Sequence, residues 1–420
     1  MSLLQRIKKS IGPGVITGIA DDDPSGIATY AQTGAMFGYG QLWFALFAFP
    51  FMVAIQEMCG RIGMVTGNGL AGIIKKHYSY KVLVFSVALL AIANIINIGA
   101  DLNAMADAAT LILPIPFSVS LISITLFTLL IEIFVPYPTY VKFLKYVALT
   151  VFAYVLAAFF VNQNWREVFT SFFIPHISLT KEYLFNITAL LGTTISPYLF
   201  FWQADEEAEE EIVQGKISAI GKEIPTINGE DISQMRYDTA IGMFVSNAVT
   251  FFIIITAAAT LHAQGITSIT SAAEMASALT PLAGNFASLL FSIAIIGTGL
   301  LAVPVLAGSA AYALSETFGW RAGLGETFTR AKAFYITIII ATLLGLLVNF
   351  SSIGSITMLY YAAILNGILA PPLMILILLI ANNKNIMGVN TNNKLSNYFG
   401  WTITICMSII AIIFIGNLLL

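Results

Sequence analysis

The sequence predicts an all-α polytopic membrane protein of about eleven transmembrane helices, with the first and sixth broken in mid-span. Three observations carry this reading. The 420 residues are 58% apolar and only 10% charged, with a mean hydropathy of +0.86, whereas a soluble domain carries about 25% charged residues. Apolar windows long enough to cross a bilayer recur along the whole chain. Two of these windows are interrupted by glycine and proline beside polar residues, where a helix must unwind. A net charge of −3 gives no electrostatic basis for nucleic-acid binding. Cys59 and Cys406 lie far apart in apolar segments, so neither a disulfide framework nor a thiolate metal site is expected.

In chain order the spans fall near residues 11–38, 41–64, 82–112, 116–136, 142–162, 183–212, 238–262, 281–317, 332–350, 354–381 and 399–419. The basic start (Arg6, Lys8, Lys9) before an apolar run superficially resembles a signal peptide. That run leads into Asp21–Pro24 without a small-residue cleavage site, so it reads as a retained first helix. With the N-terminus in the cytoplasm and the C-terminus outside, only Arg166 and Lys181 of the 19 Lys and Arg fall on outer segments. This asymmetry favours that orientation, and a bacterial plasma membrane is the expected location. One transmembrane domain, 1–420, is expected. It comprises a repeat at about 11–162, a second at about 183–381, an extra helix at about 399–419 and a polar cytoplasmic loop at 213–236.

The first break is the stretch Gly18 to Gly26, which places Asp21, Asp22 and Asp23 before Pro24. Charge at membrane depth is costly and marks a functional site by default. The second break runs from Leu190 to Leu199, with Gly192 and Pro197 flanking Thr193, Thr194 and Ser196. Breaks in spans one and six are five spans apart. That is the pattern of an inverted five-plus-five repeat, in which discontinuous helices meet at the midplane to form the substrate site. Carboxylates, hydroxyls and freed carbonyls are hard ligands, suited to Mg²⁺, Mn²⁺ or Ca²⁺. Successive helical residues point about 100° apart, so three adjacent aspartates cannot all face one ion. Asp23, just before Pro24, is best placed. Asp21 and Asp22 are expected in supporting contacts, the permeation path or a proton site. The competing reading is that these acids merely cap a half-helix.

Other polar residues at membrane depth are Glu57, Asp101, Asn103, Asp107 and Glu132. Each reads either as a relay or pathway member or as a group paired in the bundle interior. Asn366, ahead of Gly367 and Pro371-Pro372, is a site candidate if a third kink turns its amide to the cavity. The run Asp205 to Glu211 reads as a solvated helical extension of span six; its sharper reading is a cation-attracting vestibule or metal sensor. His77, His176 and His262 fall near span ends or in loops and are not expected to be ligands.

Taken together, Gly12-Pro13-Gly14, Asp23-Pro24, Phe37-Gly38-Tyr39, the run Gln56, Arg61, Gly63, Thr66-Gly67, and Gly192, Thr194-Ile195, Pro197 resemble the NRAMP family of divalent metal transporters. The likeness extends through Asn247-Ala248, His262 and the glycine-rich span eight, covering nearly the whole chain. It implies a LeuT-type inverted-repeat fold and import of Mn²⁺ or Fe²⁺ with protons. The departures change that expectation. The family's Asp-Pro-Gly-Asn reads here Asp23-Pro24-Ser25-Gly26, so an asparagine ligand becomes Gly26. The family's Ala-Thr-Ile-Met-Pro-His reads Thr193-Thr194-Ile195-Ser196-Pro197-Tyr198, so the methionine ligand becomes Ser196 and a histidine becomes Tyr198. A second family histidine becomes Gln203. Loss of the thioether relaxes preference for transition metals, and loss of the histidines removes the usual proton route. The combination is similar to the branch of NRAMP-related magnesium transporters, which implies a wider site, a more hydrated ion and weak or absent proton coupling.

The expected function is import of Mg²⁺, with Mn²⁺ also carried, by alternating access. Asp23 is expected to bind the ion, with Thr193, Ser196 and the carbonyls near Ala20 and residues 192–196 completing the shell, partly through water. Gly26 is expected to leave room for that water. Tyr198, Gln203, Asn366, Asp107 and Glu57 are expected in the pathway or in supporting contacts. No cofactor is expected, and the oligomeric state is left open, a monomer being compatible. One alternative is a proton-coupled Mn²⁺/Fe²⁺ importer using Asp107 or Glu57 as the carrier. The other is a sodium-coupled organic-solute transporter on the same fold, whose anionic substrate three aspartates would repel. A membrane enzyme lacks support: no metal-ligand spacing, nucleophile–base pair or phosphate loop stands at a suitable place.

Overall fold

Among the described residues helices fill the apolar windows, and spans one and six stop at their breaks, while Pro50, Pro304 and Pro371-Pro372 lie inside continuous helices. A computed structural model describes residues 12–135, 139, 149–350 and 353–419. Helix α1 (Pro13–Asp21) ends at Asp22, and α2 (Pro24–Phe37) begins with Pro24 in its first turn and Asp23 as its N-cap. Then come α3 (Trp43–Thr66), the short α4 (Leu70–His77), α5 (Tyr80–Thr110), α6 (Phe117–Phe134), α7 (Phe152–Phe160) and the peripheral α8 (Trp165–Phe173). Span six is α9 (Lys181–Thr194) followed by α10 (Pro197–Val213), separated by Ile195 and Ser196. The chain continues as α11 (Gly229–Thr260), α12 (Ala272–Ser277), α13 (Thr280–Ala283), α14 (Ala287–Phe318), α15 (Lys332–Val348), α16 (Ser355–Asn382), α17 (Lys384–Met387) and α18 (Lys394–Leu419). Among the described residues, eight helical segments are long and apolar enough to cross a membrane. The first part of predicted span five, with Lys142 and Lys145, lies outside the described residues, as do Arg6, Lys8 and Lys9.

Packing pairs the two halves crosswise. The first broken helix, α1 and α2, lies along α11, the seventh span, while α10 of the sixth lies along α3, the second span. The third and eighth spans, α5 and α14, pack on each other. A two-fold relation between spans one to five and six to ten exchanges just these pairs, as an inverted repeat requires. The crossing of α1 and α11 is backbone against backbone. A Cβ on Gly18 would stand 2.3 Å from the carbonyl of Gly242, and a Cβ on Gly242 would stand 2.1 Å from the Gly14 oxygen. Small residues permit such close approach between membrane helices.

Two helix starts are capped from other helices. Asp238 of α11 accepts from the amides of Gly12 at 3.0 Å, Gly14 at 2.7 Å and Val15 at 3.3 Å, satisfying donors that the first turn of α1 leaves free. Glu316 of α14 accepts from Gly69 at 2.6 Å and Gly72 at 2.8 Å at the start of α4. At the same end of the bundle Glu57 pairs with Arg61 at 2.8 Å and Arg236 at 2.7 Å. Arg61 also reaches the carbonyl of Asn390 and, at 2.5 Å, Asn392 Oδ1. This network ties α3 to α11 and to the loop before α18.

Two expectations need correction. The polar loop is shorter than 213–236, because α11 begins at Gly229 with an Asn228–Asp231 capping box. Its first turns are polar (Glu230, Asp231, Arg236), so hydropathy detects the helix only from its apolar part. The acidic run of α10 is helical as expected, but it is only partly solvated, with Glu206, Glu209 and Glu210 half-buried. Asp205, Glu207 and Glu211 are buried against neighbouring helices and the 214–228 loop.

The glycine crossing gives a direct test. Gly18→Ala overpacks α1 against α11 and lowers stability by at least about 1–3 kcal/mol. Gly229→Ala, where nothing lies within 4 Å, changes it by less than about 0.5 kcal/mol. Thermal denaturation of the purified protein in detergent reads both.

Candidate cation site

The break in the first span is built around one carboxylate used twice. Asp23 Oδ1 accepts from the Gly26 amide at 2.6 Å and the Ser25 hydroxyl at 2.7 Å, which caps α2. Its Oδ2 has no hydrogen-bond partner, although Asp23 is 1% exposed. A buried charged oxygen without a partner is strongly disfavoured unless a cation joins it. Asp21 and Asp22 turn elsewhere, towards α11. Ser246 of α11 donates to Asp21 Oδ2 at 2.5 Å and lies 3.4 Å from Asp22 Oδ1, while Asp21 Oδ1 is also without a partner.

The second break faces this one. Tyr198, in the first turn of α10, donates its hydroxyl to the Ala20 carbonyl at 3.1 Å, so the two broken helices are joined across the gap. Thr193 Oγ1, at the end of α9, is buried without a partner. Ser196 donates to the carbonyls of Gly192 at 2.7 Å and Thr193 at 2.9 Å, leaving only its oxygen lone pairs to offer. Gly26 differs from expectation. A Cβ there would meet the Asp21 carbonyl oxygen at 3.1 Å, the Tyr30 ring at 3.3 Å and Asp23 Oδ1 at 3.4 Å. The space beside Gly26 is thus filled by these groups, and the role of this glycine is to let its amide reach Asp23 without crowding them.

The structure adds Asp101 of α5. It is fully buried, both its oxygens lack hydrogen-bond partners, and it lies within electrostatic reach of Asp23. Met105, one turn further along α5, and Pro24 converge on Gly299 of α14, where a Cβ would stand 2.4 Å from the Met105 sulfur and 3.4 Å from the Pro24 ring. This turn of α5 therefore abuts the first break. In sequence, Asp101 is one of five polar residues in spans two to four, and no local motif separates it from the others.

Several candidates are engaged by other groups. Glu57 is held by Arg61 and Arg236, and the Ser355 hydroxyl donates to Asp107 Oδ2 near the far end of α5. Asn366 exchanges amide hydrogen bonds with Asn97 of α5 at 2.9 and 3.2 Å, and α16 runs unbroken through Gly367 and the two prolines. No break opens beside Asn366, and its amide is already paired. Gln203 donates to Glu207 at 2.9 Å, further along α10. Glu132 of α6, like Asp101, is buried with both oxygens lacking partners. Among the described residues, no group of three or more His, Cys, Asp and Glu forms a ready metal centre. What the breaks offer is a carboxylate or two among hydroxyl and carbonyl oxygens.

Paired breaks bridged at mid-bundle, in an all-helical membrane protein, define a secondary transporter of the broken-helix class. A family model described as natural resistance-associated macrophage protein-like matches residues 14–417, and the chain belongs to this Nramp family. Among solved structures, the chain is similar to the manganese transporter of Eremococcus coleocola, in complex with an aromatic bis-isothiourea substituted compound. The identity is 16% over 97% of this chain and 86% of that one, with a TM-score of 0.75. It is also similar to Mhp1, a nucleobase-cation-symport-1 family transporter, in a closed conformation with bromovinylhydantoin bound. That match has 13% identity over 96% of this chain and 90% of that one, with a TM-score of 0.58. The inward-facing conformation of Mhp1 matches at 14% identity, 96% and 89% coverage and a TM-score of 0.52. These likenesses agree with the LeuT-type fold expected from the two breaks.

The Asn97–Asn366 pair separates structural from site roles. Asn366→Ala leaves the buried amide of Asn97 short of a partner and costs about 1–3 kcal/mol of stability. Divalent-ion binding, measured by calorimetry on the folded fraction, is unchanged.

Proposed function

We propose that this chain carries a hard divalent cation across the bilayer by alternating access, with Asp23 binding the ion. The observation that carries the reading is Asp23 Oδ2, a carboxylate oxygen at the first break that is buried and unpaired. Thr193 Oγ1, the Ser196 oxygen and the Ala20 carbonyl lie on the elements that meet there, and Asp101 adds a second negative charge. Membership of the Nramp family and the likeness to a manganese transporter support a divalent metal as cargo.

The preferred ion is Mg²⁺, with Mn²⁺ also carried. Ser196 and Gly26 stand where the family pattern has methionine and asparagine ligands, so the soft thioether contact is absent. Mg²⁺ retains several waters and needs only one or two carboxylates, which is what the breaks supply. The whole chain acts as one transport unit, oriented with the N-terminus inside and the C-terminus outside, and imports the ion with weak or no proton coupling. One observation favours a second reading. Asp101, buried without a partner and within electrostatic reach of Asp23, is placed to carry a proton, in the role that Asp107 and Glu57 cannot fill while hydrogen-bonded or ion-paired.

Flux into liposomes tests both readings. Wild type takes up Mg²⁺ and Mn²⁺ without acidifying the interior, and Asp23→Ala abolishes uptake of both. Asp101→Asn weakens the apparent affinity by about tenfold, equivalent to about 1.4 kcal/mol. Undiminished flux in Asp23→Ala sinks the site, and indifference to Mg²⁺ sinks the substrate. Acidification that accompanies Mn²⁺ uptake and vanishes in Asp101→Asn establishes the proton-coupled reading instead.

A further inference from the structure

Away from the breaks, α10 carries a second set of carboxylates, at the end of the bundle where Arg61 and Arg236 stand. Asp205 is fully buried, and neither of its oxygens has a hydrogen-bond partner. A Cβ on Gly69 would stand 1.9 Å from Asp205 Oδ1 and 2.7 Å from Glu316 Oε2. Acids from two different helices thus converge on one point, beside backbone that has no side chain to fill it. Asn68 Oδ1 is close by: a Cβ on Gly72 would meet it at 3.2 Å and Glu316 Oε1 at 2.9 Å.

Lys75 and Lys76 offset part of the Glu316 charge, but the hydrogen-bonding groups nearby are committed away from Asp205. Glu316 receives two amide hydrogen bonds from the start of α4. Lys75 donates to the Glu316 backbone carbonyl at 3.2 Å. Lys76 donates to Asn68 Oδ1 at 2.9 Å and to the Gly221 carbonyl at 3.1 Å. Glu209 accepts from the Leu324 amide at 2.9 Å. None of these groups meets the Asp205 carboxylate, and an uncompensated buried carboxylate is strongly disfavoured.

We propose that this cluster is a second divalent-cation site, separate from the transport site, held by Asp205 and Glu316. Two carboxylates are hard ligands, and a site with so few protein ligands suits an ion that keeps its own waters, such as Mg²⁺. The ion would join α10, the second half of broken helix six, to α14 and to the start of α4. Cation on this side would then restrain the half-helix and slow transport, a feedback by the product of uptake.

The binding test uses the full chain with the transport site removed, so it stands or falls separately from the Asp23 reading. In Asp23→Ala protein, MgCl₂ at about ten times its Kd raises the melting temperature by about 1–2 °C, and calorimetry shows a saturable isotherm. Adding Asp205→Asn, or Glu316→Gln if that protein is obtained in better yield, abolishes both signals. Absence of any Mg²⁺ response in Asp23→Ala overturns the proposal. An equal response with and without Asp205 overturns it as well, since the ion would then sit elsewhere. In liposomes, Mg²⁺ on the Arg61–Arg236 side slows Mn²⁺ uptake severalfold in wild type, and Asp205→Asn relieves that inhibition. Unrelieved inhibition contradicts the feedback role.

Discussion

One carboxylate governs the centre of this molecule. Asp23 must cap α2, because Pro24 and the break leave amides without partners, and it does so with one oxygen through Gly26 and Ser25. The other oxygen is left buried and unpaired. The same residue therefore makes the break structurally possible and gives it a demand for positive charge. The capping and ligand readings of the aspartates are consequently not alternatives. Capping by Oδ1 fixes the rotamer, and that leaves Oδ2 free.

The rest of the structure places and preserves that arrangement. Backbone contact at Gly18 and Gly242 seats α1 against α11, and Asp238 of α11 closes the amino end of α1. Ser246, two turns further along α11, draws Asp21 and Asp22 away from Asp23. Tyr198 holds the second break against the first through the Ala20 carbonyl. Span seven thus sets the geometry of span one, and the crosswise packing of an inverted repeat makes span two the corresponding support for span six. Polar contacts inside the bundle recur at helix starts and breaks, where backbone groups would otherwise lack partners in a medium without water.

Much of this was legible in the sequence because it depends on local chemistry. Apolar length marks the spans, and a proline next to an acid marks the first break. A glycine and a proline around three hydroxyl residues mark the second. Contacts between distant segments were not legible. Asp101 is distinguished from Glu57 and Asp107 only by what surrounds it: Arg61 and Arg236 claim Glu57, Ser355 claims Asp107, and nothing claims Asp101. Asn366 looked available because its partner, Asn97, lies in a different span. The acidic run of α10 looked solvated because composition does not reveal that α14 and α4 cover it. Gly26 looked like an opening because a missing side chain suggests space, whereas its neighbours close in around it.

The central claim is that a divalent ion binds directly to Asp23 between the two breaks. Anomalous diffraction from crystals of the wild-type protein soaked in Mn²⁺ tests it most directly. The account predicts a peak within direct ligand distance of Asp23 Oδ2, on the side facing Thr193 and Ser196, that disappears in Asp23→Ala. Saturating Mn²⁺ that yields a peak remote from Asp23, or one that persists in the variant, would contradict it.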